Sequence, residues 1–205
     1  MRSFTRFRAK VTLAAVFILT LGQAAPALAT ITTFEGFADS TALTNQIPGL
    51  TFTNATVLTA GVSLNEIDFP PHGGSNVIID NGGPMSIAFS TPQTSVGGYF
   101  TYSVALTFSA YDSSNLLLGS VTSAFSGNSV STGNAPNEFL SLAFGDISKI
   151  TILGDISGRS FVMDDLTFSA GSPQASVPEP AAISFLGAGM LLLTSFGRRR
   201  VRLRR

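Results

Sequence analysis

Leu106-Thr107-Phe108-Ser109-Ala110-Tyr111-Asp112-Ser113-Ser114-Asn115-Leu116-Leu117-Leu118-Gly119-Ser120-Val121 reads as two strands and the turn that joins them. Leu106, Phe108 and Ala110 alternate with Thr107, Ser109 and Tyr111, the period of two expected of a strand with one buried face. The short polar side chains of residues 112–115 hydrogen-bond readily to nearby backbone, so the chain reverses there and residues 116–121 return as the partner strand. The same signature recurs on both sides, with turn residues spaced about ten apart. It predicts strands over residues 31–37, 50–58, 76–80, 85–90, 96–102, 106–111, 116–123, 138–144, 149–153 and 160–168, with no segment of helical period between them. About ten short strands without crossover helices define an all-β chain, an antiparallel two-sheet sandwich of the jelly-roll kind, with a closed barrel as the alternative.

The chain has seventeen phenylalanines and no tryptophan, and the twelve phenylalanines of residues 30–168 give this module a Phe-rich core, with Phe52, Phe89, Phe100, Phe108, Phe144, Phe161 and Phe168 as predicted members. Tyr102 shares the Phe100 face and belongs with them, whereas Tyr99 and Tyr111 fall on faces shared with threonine and serine. There is no cysteine, so the fold stands on packing alone. Residues 126–137 are small or polar almost throughout and read as a mobile loop tip.

The two ends of the chain differ from this middle. Arg2, Arg6, Arg8 and Lys10, the apolar residues 11–21 and the small-x-small site Ala27-Leu28-Ala29 are the three parts of a secretory signal peptide over residues 1–29, leaving Thr30 as the new N-terminus. The β-sandwich module then spans residues 30–168 and a flexible linker residues 169–176, whose Ser, Ala, Gly and Pro cannot build a core. Residues 177–205 hold Val177-Pro178-Glu179-Pro180, an apolar run over 181–196 and an arginine-rich end. Sixteen residues of helix span roughly 24 Å, a marginal transmembrane helix that flanking residues extend. Arg198, Arg199 and Arg200 begin the cationic stop that keeps the tail on the cytoplasmic side.

Between residues 30 and 176 eleven carboxylates face only two basic residues, Lys149 and Arg159, a net charge of −9 that the arginines at the two ends conceal. Such a surface repels phosphate backbones, which argues against nucleic acid as a partner and leaves cations, sugars and proteins. Calcium suits an acidic, cysteine-free domain, since it takes six to eight oxygen ligands, whereas zinc lacks its usual partners beside a lone His72. Pro70-Pro71-His72-Gly73-Gly74-Ser75-Asn76 fixes an irregular exposed loop, a candidate ligand rim. No Gly-x-Ser-x-Gly elbow supplies a nucleophile for His72, and a pair of glycosidase carboxylates is not identified by the sequence. The absence of tryptophan removes the commonest flat platform for a sugar ring, and the sequon Asn54-Ala55-Thr56 carries no weight.

The tail resembles the PEP-CTERM sorting domain of Gram-negative, exopolysaccharide-producing bacteria, matching motif, apolar stretch and arginine-rich end in order and spacing. That resemblance implies an exosortase as processing partner, Pro178, Glu179 and Pro180 as the recognised motif, transient anchoring in the inner membrane, and release to the cell surface or extracellular matrix. Thr33-Phe34-Glu35-Gly36-Phe37, Pro48-Gly49-Leu50-Thr51-Phe52 and Met163-Asp164-Asp165-Leu166-Thr167-Phe168 are similar to segments of jelly-roll carbohydrate-binding modules. This second resemblance implies a structural calcium near the first and last strands, with Glu35 and one of Asp164 or Asp165 as its ligands. The sequence thus leads to the expectation of a non-enzymatic surface or matrix protein binding polysaccharide or another matrix protein. The alternatives are a secreted hydrolase acting on polysaccharide and a purely structural coat protein.

Overall fold

The computed structural model describes residues 29–171; most of the expected signal peptide, the linker from residue 172, the sorting motif, the apolar span and the arginine cluster lie outside the described residues. Ten strands follow one another among the described residues: β1 (Thr30–Thr32), β2 (Ala42–Leu43), β3 (Leu50–Thr53), β4 (Ala55–Thr59), β5 (Asn76–Ile79), β6 (Met85–Tyr102), β7 (Thr107–Tyr111), β8 (Leu117–Thr122), β9 (Glu138–Leu153) and β10 (Phe161–Ala170). The helical content of these residues is one 3-10 turn, Val130–Thr132. The hairpin of β7 and β8 forms as its sequence dictates. Asp112 Oδ1 accepts the N–H groups of Ser114 and Leu116, both at 2.8 Å, and Asn115 takes the left-handed conformation that closes the turn.

The expectation of two separate sheets is corrected by β6 and β9. Each runs on where the sequence suggested a break, and they pair from Met85↔Ile152 to Ala88↔Lys149 and again from Ser95↔Ala143 to Phe100↔Glu138, with register shifts around Gln93. Pro92 and Gly145 sit at this irregularity and mark a corner within each strand rather than a chain reversal. One layer is built on the early half of β6 and the late half of β9, carrying β3, β7 and β8. The other is built on the remaining halves and carries β10, β5, β4 and β2, with β1 along β10. All ladders are antiparallel, and the order β2-β4-β5-β10-β6-β9-β7-β8 has two ends, so the described strands form an open sandwich and not a closed barrel.

Side chains from the two inner faces fill the space between the layers. Phe100 of the second layer lies 5.8 Å from Phe108 of the first and 6.3 Å from Phe161 beside it, all three buried. Five of the seven predicted core phenylalanines are buried, and Phe144 and Phe168 pack against the core half-buried. Phe34 was not expected there. The predicted strand over residues 31–37 stops at Thr32, and a positive φ of 62° at Phe34 turns its ring inward against Phe52. Tyr102 is buried as expected, with its hydroxyl donating to Glu138.

Three further expectations change. The predicted strand over 50–58 is divided at Asn54, whose φ of 60° lets the chain pass from β3 in one layer to β4 in the other. Residues 126–137 are no free tip: buried Asn128 accepts from the Tyr102 amide at 2.7 Å and donates to the Phe100 carbonyl at 3.0 Å, fixing the segment to the end of β6. The last strand continues to Ala170, so Ser169 and Ala170 pair with Ser95 and Gln93 rather than opening the linker.

Asn54 also closes a network across the crossing, donating to the Gly82 and Gly83 carbonyls at 2.6 and 3.2 Å and accepting from the Asn81 amide at 2.9 Å. Asn54→Gly removes these bonds but keeps the backbone at ease, whereas Asn54→Ala removes them and adds left-handed strain. Urea unfolding is expected to show Ala less stable than Gly by about 1 kcal/mol, with both below the parent.

Candidate functional site

Strand register places one set of side chains on the outward face of the second layer: Thr56 and Leu58 of β4, Val77 and Ile79 of β5, Val162 and Asp164 of β10, Thr101 and Tyr99 of β6, and Phe139 of β9. The chain between β4 and β5 folds back over part of this face. Its Leu64 packs on Val77 and Val162, with Leu58, Ala60 and Phe69 around them, forming a small apolar cluster separate from the main core. Beyond that cluster come residues 70–74, in which the rings of Pro70 and Pro71 are the apolar side chains and Gly73 and Gly74 have none to bury, so polar contacts hold this end.

The acids singled out in the sequence supply those contacts. Asp164 is 1% exposed, and its Oδ2 accepts the N–H groups of His72 and Gly73, both at 2.9 Å, while Oδ1 accepts the Asp165 amide at 2.7 Å. Glu35 Oε1 accepts the amides of Ser75 and Asn76 at 3.0 and 2.8 Å, and Oε2 accepts the Ser75 hydroxyl at 3.2 Å. Asp165 Oδ2 accepts from His72 Nδ1 at 2.6 Å, an ion pair when the imidazole is protonated. The His72 ring lies flat on Tyr99 with centroids 3.4 Å apart, and Tyr99 leans on Phe139 at 5.0 Å. Gly74 is required here: its φ is +61°, and a Cβ would stand 2.3 Å from Glu35 Oε1.

Burial raises the Asp164 carboxyl to about 6, helped by the neighbouring charge of Asp165 and opposed by the amide hydrogen bonds.

Glu35 and Asp164 therefore meet the same loop, but as acceptors for its amides. Five of the six carboxylate oxygens of Glu35, Asp164 and Asp165 are already engaged by N–H or O–H donors. Among the described residues no three His, Asp or Glu side chains group around a point that a metal ion could occupy. The three acids as arranged do not fit a calcium cage, which needs several oxygens turned toward one centre. No serine hydroxyl hydrogen-bonds the His72 ring among the described residues, so no nucleophile–base pair is assembled there. Pro178, Glu179, Pro180, Arg198, Arg199 and Arg200 lie outside the described residues.

The same outward face also holds a cleft of about 450 Å³, within the size range of small-ligand sites. Leu58, Phe69, Ile79 and Val162 contribute apolar surface, while Ser40, Ser63, Asn65, Asn81 and Arg159 contribute polar groups. None of these was singled out by motif, because they come from four separate stretches of chain. Arg159 alone had a signal in the sequence, as one of two basic residues in an acidic module.

No family model matches the chain, and no curated protein matches it. Among solved structures it is similar to a DUF4465 family protein from Bacteroides caccae, with a TM-score of 0.47 and 11% identity over 70% of this chain and 100% of that one. It is also similar to a family 29 carbohydrate-binding module, with a TM-score of 0.40 and 12% identity over 71% of this chain and 94% of that one. A third is the family 11 carbohydrate-binding module from Clostridium thermocellum in complex with a β-1,3-1,4-mixed-linked tetrasaccharide, with a TM-score of 0.36 and 10% identity over 72% and 98% of the two chains.

Two measurements check the acid-anchored loop. Gly74→Ala is expected to lower the thermal midpoint and raise amide exchange at residues 72–76, because its Cβ displaces the Glu35 carboxylate. Asp164 carries a folded pKa above its unfolded one, so its contribution to stability is fully present below about pH 4 and is lost as pH rises through about 6. Asp164→Asn turns an N–H toward an amide donor and is expected to cost about 1–3 kcal/mol. Unfolding between pH 4 and 6.5 is expected to show that variant losing less stability with rising pH than the parent.

Proposed function

We propose that this chain is an exported, non-catalytic surface or extracellular-matrix protein whose β-sandwich binds polysaccharide. The observation that carries this reading is the outward face of the second layer. There an apolar-floored cleft rimmed by hydroxyl and amide groups lies on the same face as the Tyr99 and Phe139 rings, the latter 48% exposed. A sugar ring offers the matching chemistry, apolar C–H faces bordered by hydroxyls, and aromatic and aliphatic surfaces take the former while amides and hydroxyls take the latter. The non-catalytic part of the proposal is supported by His72, Glu35, Asp164 and Asp165, which spend their polar atoms on holding a loop.

Export by a signal peptide over residues 1–29 and sorting by the tail complete the proposal. The tail inserts as a transient inner-membrane anchor, an exosortase recognises Pro178, Glu179 and Pro180, and the acidic module is released to the surface or matrix. Proline on each side of Glu179 favours an extended backbone, which suits entry into an enzyme cleft.

Binding of the labelled chain to a polysaccharide array is expected to be retained by Tyr111→Ala and weakened at least fivefold by Phe139→Ala. Cleavage of array sugars without retention would replace the binding reading with that of a hydrolase, and concentration-dependent self-association indifferent to sugar would favour a coat protein. For sorting, substituting Pro178, Glu179 and Pro180 together by alanine is expected to leave full-length chain in the inner-membrane fraction, and normal processing of that variant on immunoblots would refute the exosortase route.

A further inference from the structure

Arg159 stands apart from the other basic groups of the described residues. Lys149 donates to Asn115 Oδ1 at 2.5 Å and lies 4.9 Å from the Tyr111 ring centre, and His72 is paired with Asp165. The Arg159 guanidinium makes no ion pair among the described residues, is exposed, and lines the cleft. Its backbone is held with care. The Arg159 amide donates to Asp80 Oδ1 at 3.0 Å and to the Asp80 carbonyl at 3.3 Å, and Asp80 is fully buried. The φ of Arg159 is +59°, a left-handed conformation that glycine takes freely and that strains a long side chain. A strained residue is thus pinned by a buried acid, and its charge is left at the rim of the cleft.

The other cleft groups narrow what that charge meets. Ser40 and Ser63 donate their hydroxyl hydrogens to Asp39 at 2.9 and 2.5 Å, so their oxygens remain as acceptors for ligand hydroxyls. Asn81 Nδ2 is used on Thr56 Oγ1 at 2.6 Å, which leaves its carbonyl oxygen as a further acceptor. The guanidinium fork pairs bidentately with a carboxylate. Long-range repulsion by a module of net charge −9 disfavours polyanions, so the fitting ligand carries an isolated carboxylate on a hydroxylated ring with an apolar face.

Resting on the polysaccharide reading above, we propose that the cleft beside Arg159 is a subsite for an acidic sugar, a uronic acid residue whose carboxylate is held by the guanidinium and whose ring lies on Leu58, Phe69, Ile79 and Val162. Calorimetry on the full chain in a polyoxyethylene detergent tests this with otherwise neutral oligosaccharides that carry a single galacturonate, glucuronate or mannuronate residue, each beside its carboxyl-reduced neutral counterpart. At least one acidic oligomer is expected to bind tenfold or more tightly than its neutral form. Arg159→Gln and Arg159→Gly are expected to erase that difference, and the glycine variant to melt no lower than the parent because φ +59° suits it. Equal affinity for acidic and neutral members overturns the subsite while leaving polysaccharide binding in place. An unchanged acid preference in both variants also overturns it, as does equal loss of both sugars, since Arg159 would then shape the cleft instead of selecting the acid. Binding of no member of any pair, together with a blank array, overturns both readings.

Discussion

The ladder between β6 and β9 is the interaction on which the rest of the structure depends. It runs through both layers, so the two faces of the sandwich are hydrogen-bonded to one another through continuous strands as well as packed by side chains. Every other strand of the described residues traces back to this pair: β3 and β10 pair with β6 and β7 with β9, then β8 with β7 and β5 and β1 with β10, and finally β4 with β5 and β2 with β4. Without a cysteine to staple the layers, the corner at Pro92 and Gly145 performs the joining by backbone alone. The cost is a disturbed ladder there, visible in the register shifts and in Gln93, buried with its Oε1 lacking a partner.

The negative charge of the module has a structural use. With few apolar residues available in residues 70–76, the loop is held by carboxylates that accept amide hydrogens: Asp164 for His72 and Gly73, Glu35 for Ser75 and Asn76. Asp39 serves the neighbouring segment in the same manner, accepting from the Thr59 amide and from the Ser40 and Ser63 hydroxyls, and these bonds hold its pKa below the usual carboxylate range. Asp112 closes the β7–β8 turn and Asp80 fixes Arg159. An ionised acceptor forms stronger bonds with N–H donors than a neutral one, so acids are an effective means of fixing glycine-rich backbone that has no side chains to bury.

How much was legible differed with the range of the interaction. The hairpin over residues 106–121 was readable because Asp112 bonds only to its own turn, and alternation alone assigns its faces. Phe100, Phe108 and Phe161 were readable as core for the same reason. The break at Asn54, the inward turn of Phe34 and the burial of Asn128 were not, since each depends on a partner distant in the chain: Gly82 for Asn54, Phe52 for Phe34, and Phe100 for Asn128. Glu35 and Asp164 were singled out together and do reach one loop, yet as anchors for its amides, a role that no spacing in the sequence signals.

By itself the sequence determined the class of fold, the acidity of the module, the absence of disulfides and the expectation of an exported chain with a sorting tail, because composition, period and terminal patterning are local properties of the chain. Only the tertiary structure decided that two strands bend through both layers and that Ser40, Asn65, Asn81, Arg159 and Val162 line one cleft. The physical reason is that a binding surface on a sheet is made by register across strands. Register brings together residues that stand far apart in the chain, and the chain between them carries no mark of the meeting.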